Sequence, residues 1–98
     1  MSVVNVELII ALIIRDLSDL VQMSDSGITP DDLFSRTFND PKVGLSNEQM
    51  PFFKANLAAA LPQAAQDIAR IDENAALSIG EVADLVRASL AESGVNTE

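Results

Sequence analysis

The chain has 98 residues, with 15 acidic against 6 basic side chains, a net charge of −9 and a pI near 4.1. That charge repels nucleic-acid phosphates and suits either plain solubility or steering towards basic protein surfaces, so no nucleic-acid partner is expected. With no Cys and no His, disulfides, thiolate nucleophiles, imidazole bases and ordinary zinc sites are excluded.

Hydrophobic residues make up 48%, only four of them aromatic and none Tyr or Trp, which favours helices packed through aliphatic side chains. A chain of this length is expected to fold as one domain, 1–98, around one core. From Val3 to Met23 the apolar positions Val6, Ile10, Ile13, Leu17 and Leu20 recur at spacings of three and four, the stripe of a long amphipathic helix. Val4, Leu8, Ile9, Leu12 and Ile14 widen the stripe beyond what one neighbouring helix covers. Burial among several helices accounts for that, and a partner or dimer surface through Val4, Leu8 and Leu12 is the functional alternative. The run Leu8 to Ile14 is short, follows Glu7 and has no Lys or Arg ahead of it; it fits neither a membrane span nor a signal peptide, and a cytoplasmic location is the expectation.

Asp25-Ser26-Gly27 reads as a turn. A second helix is expected to start at Thr29, with Pro30 in its first position, Asp31 and Asp32 facing the positive end of its dipole, and Ile28 and Leu33 placed as a hydrophobic staple. The same device recurs in Leu45-Ser46-Asn47-Glu48-Gln49-Met50 and in Leu77-Ser78-Ile79-Gly80-Glu81-Val82, which read as capping boxes with staples. Met50, Phe53, Leu57 and Leu61 mark the third helix, which Pro62 should end or kink. Ala65, Ile68 and Ile71 suggest a short helix, with Asp72-Glu73-Asn74 as the following loop. The last helix runs from Ile79 to about Ser93 with Val82, Val86 and Leu90 inward and Gly94 ending it, and 93–98 form a fraying tail. No stretch alternates with period two, so strands are not expected. The fold class is all-α: a small bundle of four main helices with one additional short helix.

Ser46 has two readings. As a cap, its hydroxyl accepts from the Gln49 amide while the Gln49 side chain reaches back, an arrangement that stabilises by about 1 kcal/mol. The other reading comes from the order of elements. A long first helix, the loop Ile28-Thr29-Pro30-Asp31, the helix start Gly44-Leu45-Ser46, Phe53 and Leu57, Leu61-Pro62, and a closing segment Leu77 to Val86 together resemble the acyl and peptidyl carrier proteins, small acidic four-helix bundles.

The resemblance covers most of the chain and implies a carrier-protein-like fold. It also implies a serine at the start of the second main helix that carries phosphopantetheine, here Ser46, with acidic residues such as Glu48 meeting basic partner enzymes. The family's attachment pattern is Gly, any residue, Asp, Ser, Leu, whereas this chain reads Gly44, Leu45, Ser46, Asn47, Glu48. Without a gap Asn47 stands at the serine position, and a one-residue deletion brings Ser46 there. A carrier-like fold without loading is therefore the companion reading.

Arg70 to Glu81 matches part of an EF-hand calcium loop, with Asp72, Asn74, Leu77 and Glu81 at positions three, five, eight and twelve. Arg70 at position one and Ala75 at the glycine position leave it degenerate. Asp31 and Asp32 could pair for acid and base work, but no nucleophile or oxyanion donor accompanies them, and neither an enzyme nor a metal site is expected. The functional expectations are thus a carrier-like domain, loaded through Ser46 or unloaded, and a helical adaptor module that binds other proteins or a second copy of itself.

Overall fold

The computed structural model describes residues 4–22, 24–34, 44–71 and 77–95. The fold is mostly helical and all-α in class. α1 spans Val6–Val21, α2 Gln49–Ala60, α3 Ala65–Ala69 and α4 Ile79–Glu92, with single 3-10 turns at Asp25–Gly27 and Pro62–Ala64. Two-residue strands, β1 (Leu33–Phe34) and β2 (Leu77–Ser78), pair antiparallel, with Leu33 opposite Ser78 and Phe34 opposite Leu77.

α1 starts where Asn5 accepts the Leu8 amide at 2.8 Å, with Glu7 in the first turn to meet the positive end of the dipole. It ends at Gln22, in the left-handed region at φ 57°, whose N–H reaches back to the Ser18 carbonyl. The centre of its buried face is Ile9, Ile13 and Leu17, while Val6, Ile10 and Leu20 pack at the margins. The inner line therefore passes through Ile9 rather than Ile10. Val3 and Met23, the expected ends, lie outside the described residues.

α2 carries the expected stripe: Met50, Phe53 and Leu57 are buried, as is Leu61 just past its end. Pro62 stops the ladder, because it has no N–H to give, and the chain restarts in a 3-10 turn before α3. Ile68 and Ile71 complete the expected apolar line. Lys54, projecting from α2, donates to the carbonyls of Ile71 at 3.0 Å and Ala69 at 3.4 Å, placing its ammonium at the negative end of α3.

α4 has a full capping box: the Glu81 amide donates to Ser78 Oγ at 3.1 Å and the Ser78 amide to Glu81 Oε1 at 3.3 Å. Its end is a Schellman motif, with Gly94 at φ 86°, the Gly94 amide on the Ala91 carbonyl and the Val95 amide on the Leu90 carbonyl. Of the tail expected to fray, Ser93, Gly94 and Val95 belong to this cap, and Ser93 Oγ donates to the Gln63 carbonyl at 3.1 Å; 96–98 lie outside the described residues. Ile79, Val82, Val86 and Leu90 turn inward, α4 packing chiefly on α1 and also on α3 and the Pro62–Ala64 turn, and one cluster of buried residues unites all four helices.

Two expectations are corrected. The helix start at Thr29 is instead a turn: the Asp32 amide donates to the Thr29 carbonyl at 3.0 Å, Asp32 Oδ2 accepts from the Thr29 amide at 2.7 Å, and the chain then extends into β1. Residues 35–43, where that helix would continue, lie outside the described residues. The expectation of no strands gives way to the β1–β2 pair. Both have one cause. The Pro30 carbonyl accepts from Gly80 N–H at 2.9 Å and the Asp32 carbonyl from Ile79 N–H at 3.0 Å, so the segment's own acceptors are spent on the first amides of α4.

Candidate functional site

The first candidate is the start of α2. Ser46 is exposed, and its carbonyl accepts from the Gln49 and Met50 amides, both at 3.1 Å. Its Oγ accepts the Gln49 amide at 3.2 Å and its own amide donates to Gln49 Oε1 at 3.0 Å. The capping box therefore exists as geometry, with one addition: Gln49 Nε2 donates to the Leu20 carbonyl at 2.7 Å, tying α2 to the end of α1. Leu45 and Met50, the staple pair, are both buried, whereas Asn47 and Glu48 are exposed.

The surface expected on α1 divides. Val4 and Leu12 are half-buried and pack against the core, while Leu8, four residues from each, remains 46% exposed. None of these three, nor Glu48, lines the clefts along α4 described next. The degenerate calcium loop is only partly in view: Asp72, Asn74 and Ala75 lie outside the described residues, and Glu81 Oε1 is held by the Ser78 amide. Among the described residues no cluster of three or more metal-ligating side chains occurs, and no helix is long and apolar enough to cross a membrane.

The second candidate was not legible as a motif. Along α4, Glu81, Leu85, Ala88 and Glu92 follow at spacings of four, three and four and are all exposed, forming a second face separate from the buried stripe. Leu85 and Ala88, with Leu77, line an open cleft of about 320 Å³. This merges with one of about 460 Å³ that continues over Ile71 and Asp67 towards Glu92. Beyond it the cleft turns polar between Gln63, Gln66 and Arg70 on one side and Ser93 on the other. Leu85 keeps 52% of its surface exposed. The available signal was an apolar residue three positions past Val82 and just off the inward stripe.

Among the described residues, Asp67, Glu81, Asp84 and Glu92 line the two apolar stretches, against Arg70 as a cation. Arg87 Nε lies 3.7 Å from Asp84 Oδ1 and offsets part of that charge. Elsewhere, burial holds the Asp16 carboxyl on α1 above its ordinary value, with Arg15 pulling it down and Asp19 adding to the rise. Asp16 lines none of these clefts.

No protein-family profile, no curated protein and no solved structure matches this chain.

Proposed function

We propose that the chain is a non-catalytic helical interaction module, related in the order of its elements to unloaded carrier domains, and that it binds other proteins through the cleft along α4. The observation that carries this reading is the second face of α4. An exposed Leu between a half-buried Leu77 and an exposed Ala88, rimmed by carboxylates, is an apolar strip with a polar margin, the anatomy of a docking surface. Ser46 fits a structural role, since its hydroxyl, amide and carbonyl are all engaged in starting α2.

The loaded-carrier reading has one observation in its favour, the exposure of Ser46 at a helix start. Incubation with coenzyme A and several phosphopantetheinyl transferases separates the two by intact mass. An unchanged mass supports the module. An increment of one phosphopantetheine group that disappears in Ser46→Ala overturns it in favour of the carrier. Hydroxyl-radical footprinting in a concentrated cell extract adds a positive test: Leu85 should be protected more than Leu8 or Phe52, and equal labelling of all three with and without extract would count against the module.

A further inference from the structure

Resting on the interaction-module reading, we infer that the occupant of the α4 cleft is a basic amphipathic helix presented by a partner protein. Shape comes first. Residues 81 to 92 of α4 extend about 16 Å, room for roughly three turns of a docked helix. The ridge Glu81, Leu85, Ala88, Glu92 runs at the three-and-four spacing that packs into the grooves of another helix. Across the cleft, Asp67 within α3 and Arg70 and Ile71 just past its end form the opposing wall.

Charge then chooses among helices. The apolar centre at Leu85 and Ala88 has a carboxylate at each end, Glu81 and Glu92, with Asp84 and Asp67 beside it. An acidic or neutral helix would bring its own charges, or none, against four carboxylates that Arg70, and Arg87 at Asp84, offset only in part. A helix with apolar residues at i, i+3/i+4 and i+7 and Lys or Arg on both flanks pairs with them at the rim, where complementarity sets specificity and association rate. A second copy of this chain is disfavoured on the same ground, since each copy carries a net charge of −9.

The test uses the full chain and a synthetic amphipathic peptide of roughly 15 residues, the length at which an isolated helix begins to form. The peptide carries one Trp on its apolar face and Lys or Arg on its flanks. Because the chain has no Trp and no Tyr, indole emission comes from the peptide alone. Binding should shift that emission to the blue. It should weaken severalfold at high salt and weaken at least about tenfold in Leu85→Lys, which removes an apolar contact and adds a repelling charge. Phe52→Lys, at another exposed apolar residue, should leave it unchanged.

Equal binding of a peptide with the same apolar positions and Glu flanks would overturn the charge argument while leaving the module reading intact. Loss of binding in Phe52→Lys with retention in Leu85→Lys would move the site and overturn the inference. So would a dimer in sedimentation that Leu85→Lys dissolves, which assigns the face to a second copy. Failure of the module itself reads out separately, as phosphopantetheine loading of Ser46.

Discussion

Gln49 is the residue at which the local and the tertiary roles of a helix cap can be separated. Its Oε1 accepts the exposed Ser46 amide at 3.0 Å, worth about 0.5 kcal/mol, and its Nε2 gives the partly buried Leu20 carbonyl a donor at 2.7 Å, worth about 1 to 1.5 kcal/mol. Leu20 is among the last carbonyls of α1, which the helix leaves without an internal partner. Gln49→Ala loses both bonds and recovers about 0.4 kcal/mol of helix propensity, for a net cost of about 1.1 to 1.6 kcal/mol. That lowers the urea midpoint, followed by far-ultraviolet circular dichroism, by about 1 M. Ser46→Ala, which loses only the hydroxyl acceptor, should cost about 1 kcal/mol. Gln49→Glu is the decisive variant. A carboxylate at a helix start should stabilise by about 0.3 to 1 kcal/mol if the cap is purely local. Against the Leu20 carbonyl, at the negative end of α1, the same carboxylate has no proton to donate and is repelled. The structure therefore predicts a loss of about 1 kcal/mol near neutral pH, recovered in acid once the side chain is protonated and can donate. A Gln49→Glu chain as stable as the parent near neutral pH would refute the tertiary role of this side chain.

Lys54→Met keeps the aliphatic stem but removes the donor from the Ile71 and Ala69 carbonyls, and should cost about 1 to 2 kcal/mol in the same urea titration. Asp16 holds its proton more tightly folded than unfolded, so its contribution lowers stability as pH rises above the ordinary Asp value and keeps it lowered at neutrality. Asp16→Asn should accordingly raise the urea midpoint near neutral pH and lose that advantage below the ordinary Asp value; an equal gain at both would contradict the titration. Phe53→Ala, at a fully buried ring, should cost about 3 to 5 kcal/mol, whereas Phe52→Ala, 64% exposed, should stay within about 0.5 kcal/mol in thermal or urea melts. Asp32→Ala opens the turn at Thr29 and should cost about 1 kcal/mol, with hydrogen exchange at the Ile79 and Gly80 amides accelerating more than exchange within α2.

The helices written locally were legible. Ser46 with Gln49 and Ser78 with Glu81 each form the expected box, because every bond in a capping box lies within four residues. Pro62 and Gly94 stop their helices for equally local reasons, a missing N–H and a positive φ. The inner line of α1 was blurred because Ile9 and Ile10 are equally apolar, and only packing against α4 and α2 decides which one faces the core. The Asn5 cap went unread, and so did Leu85: the first is a single polar residue inside an apolar run, the second an apolar residue beside a stripe that already accounts for its neighbours.

Thr29 shows where local reading ends. Thr29-Pro30-Asp31-Asp32 carries the signals of a helix start, and one of its bonds does form, from the Thr29 amide to the Asp32 carboxylate. The outcome is decided some fifty residues later. α4 needs acceptors for its first amides, and the Asp32 and Pro30 carbonyls supply them for Ile79 and Gly80 while Ser78 Oγ takes Glu81. This tertiary choice also bears on function. With all three amides taken by the chain itself, the N-terminus of α4 has no free donors to offer an anionic ligand. What α4 still presents is a side-chain face, Glu81, Leu85, Ala88 and Glu92, apolar at its centre and acidic at its ends. The hydrogen bonds that replace the expected helix start at Thr29 thus close the N-terminus of α4 to a phosphate and leave this side-chain face as the surface on which the proposed cationic helix would dock.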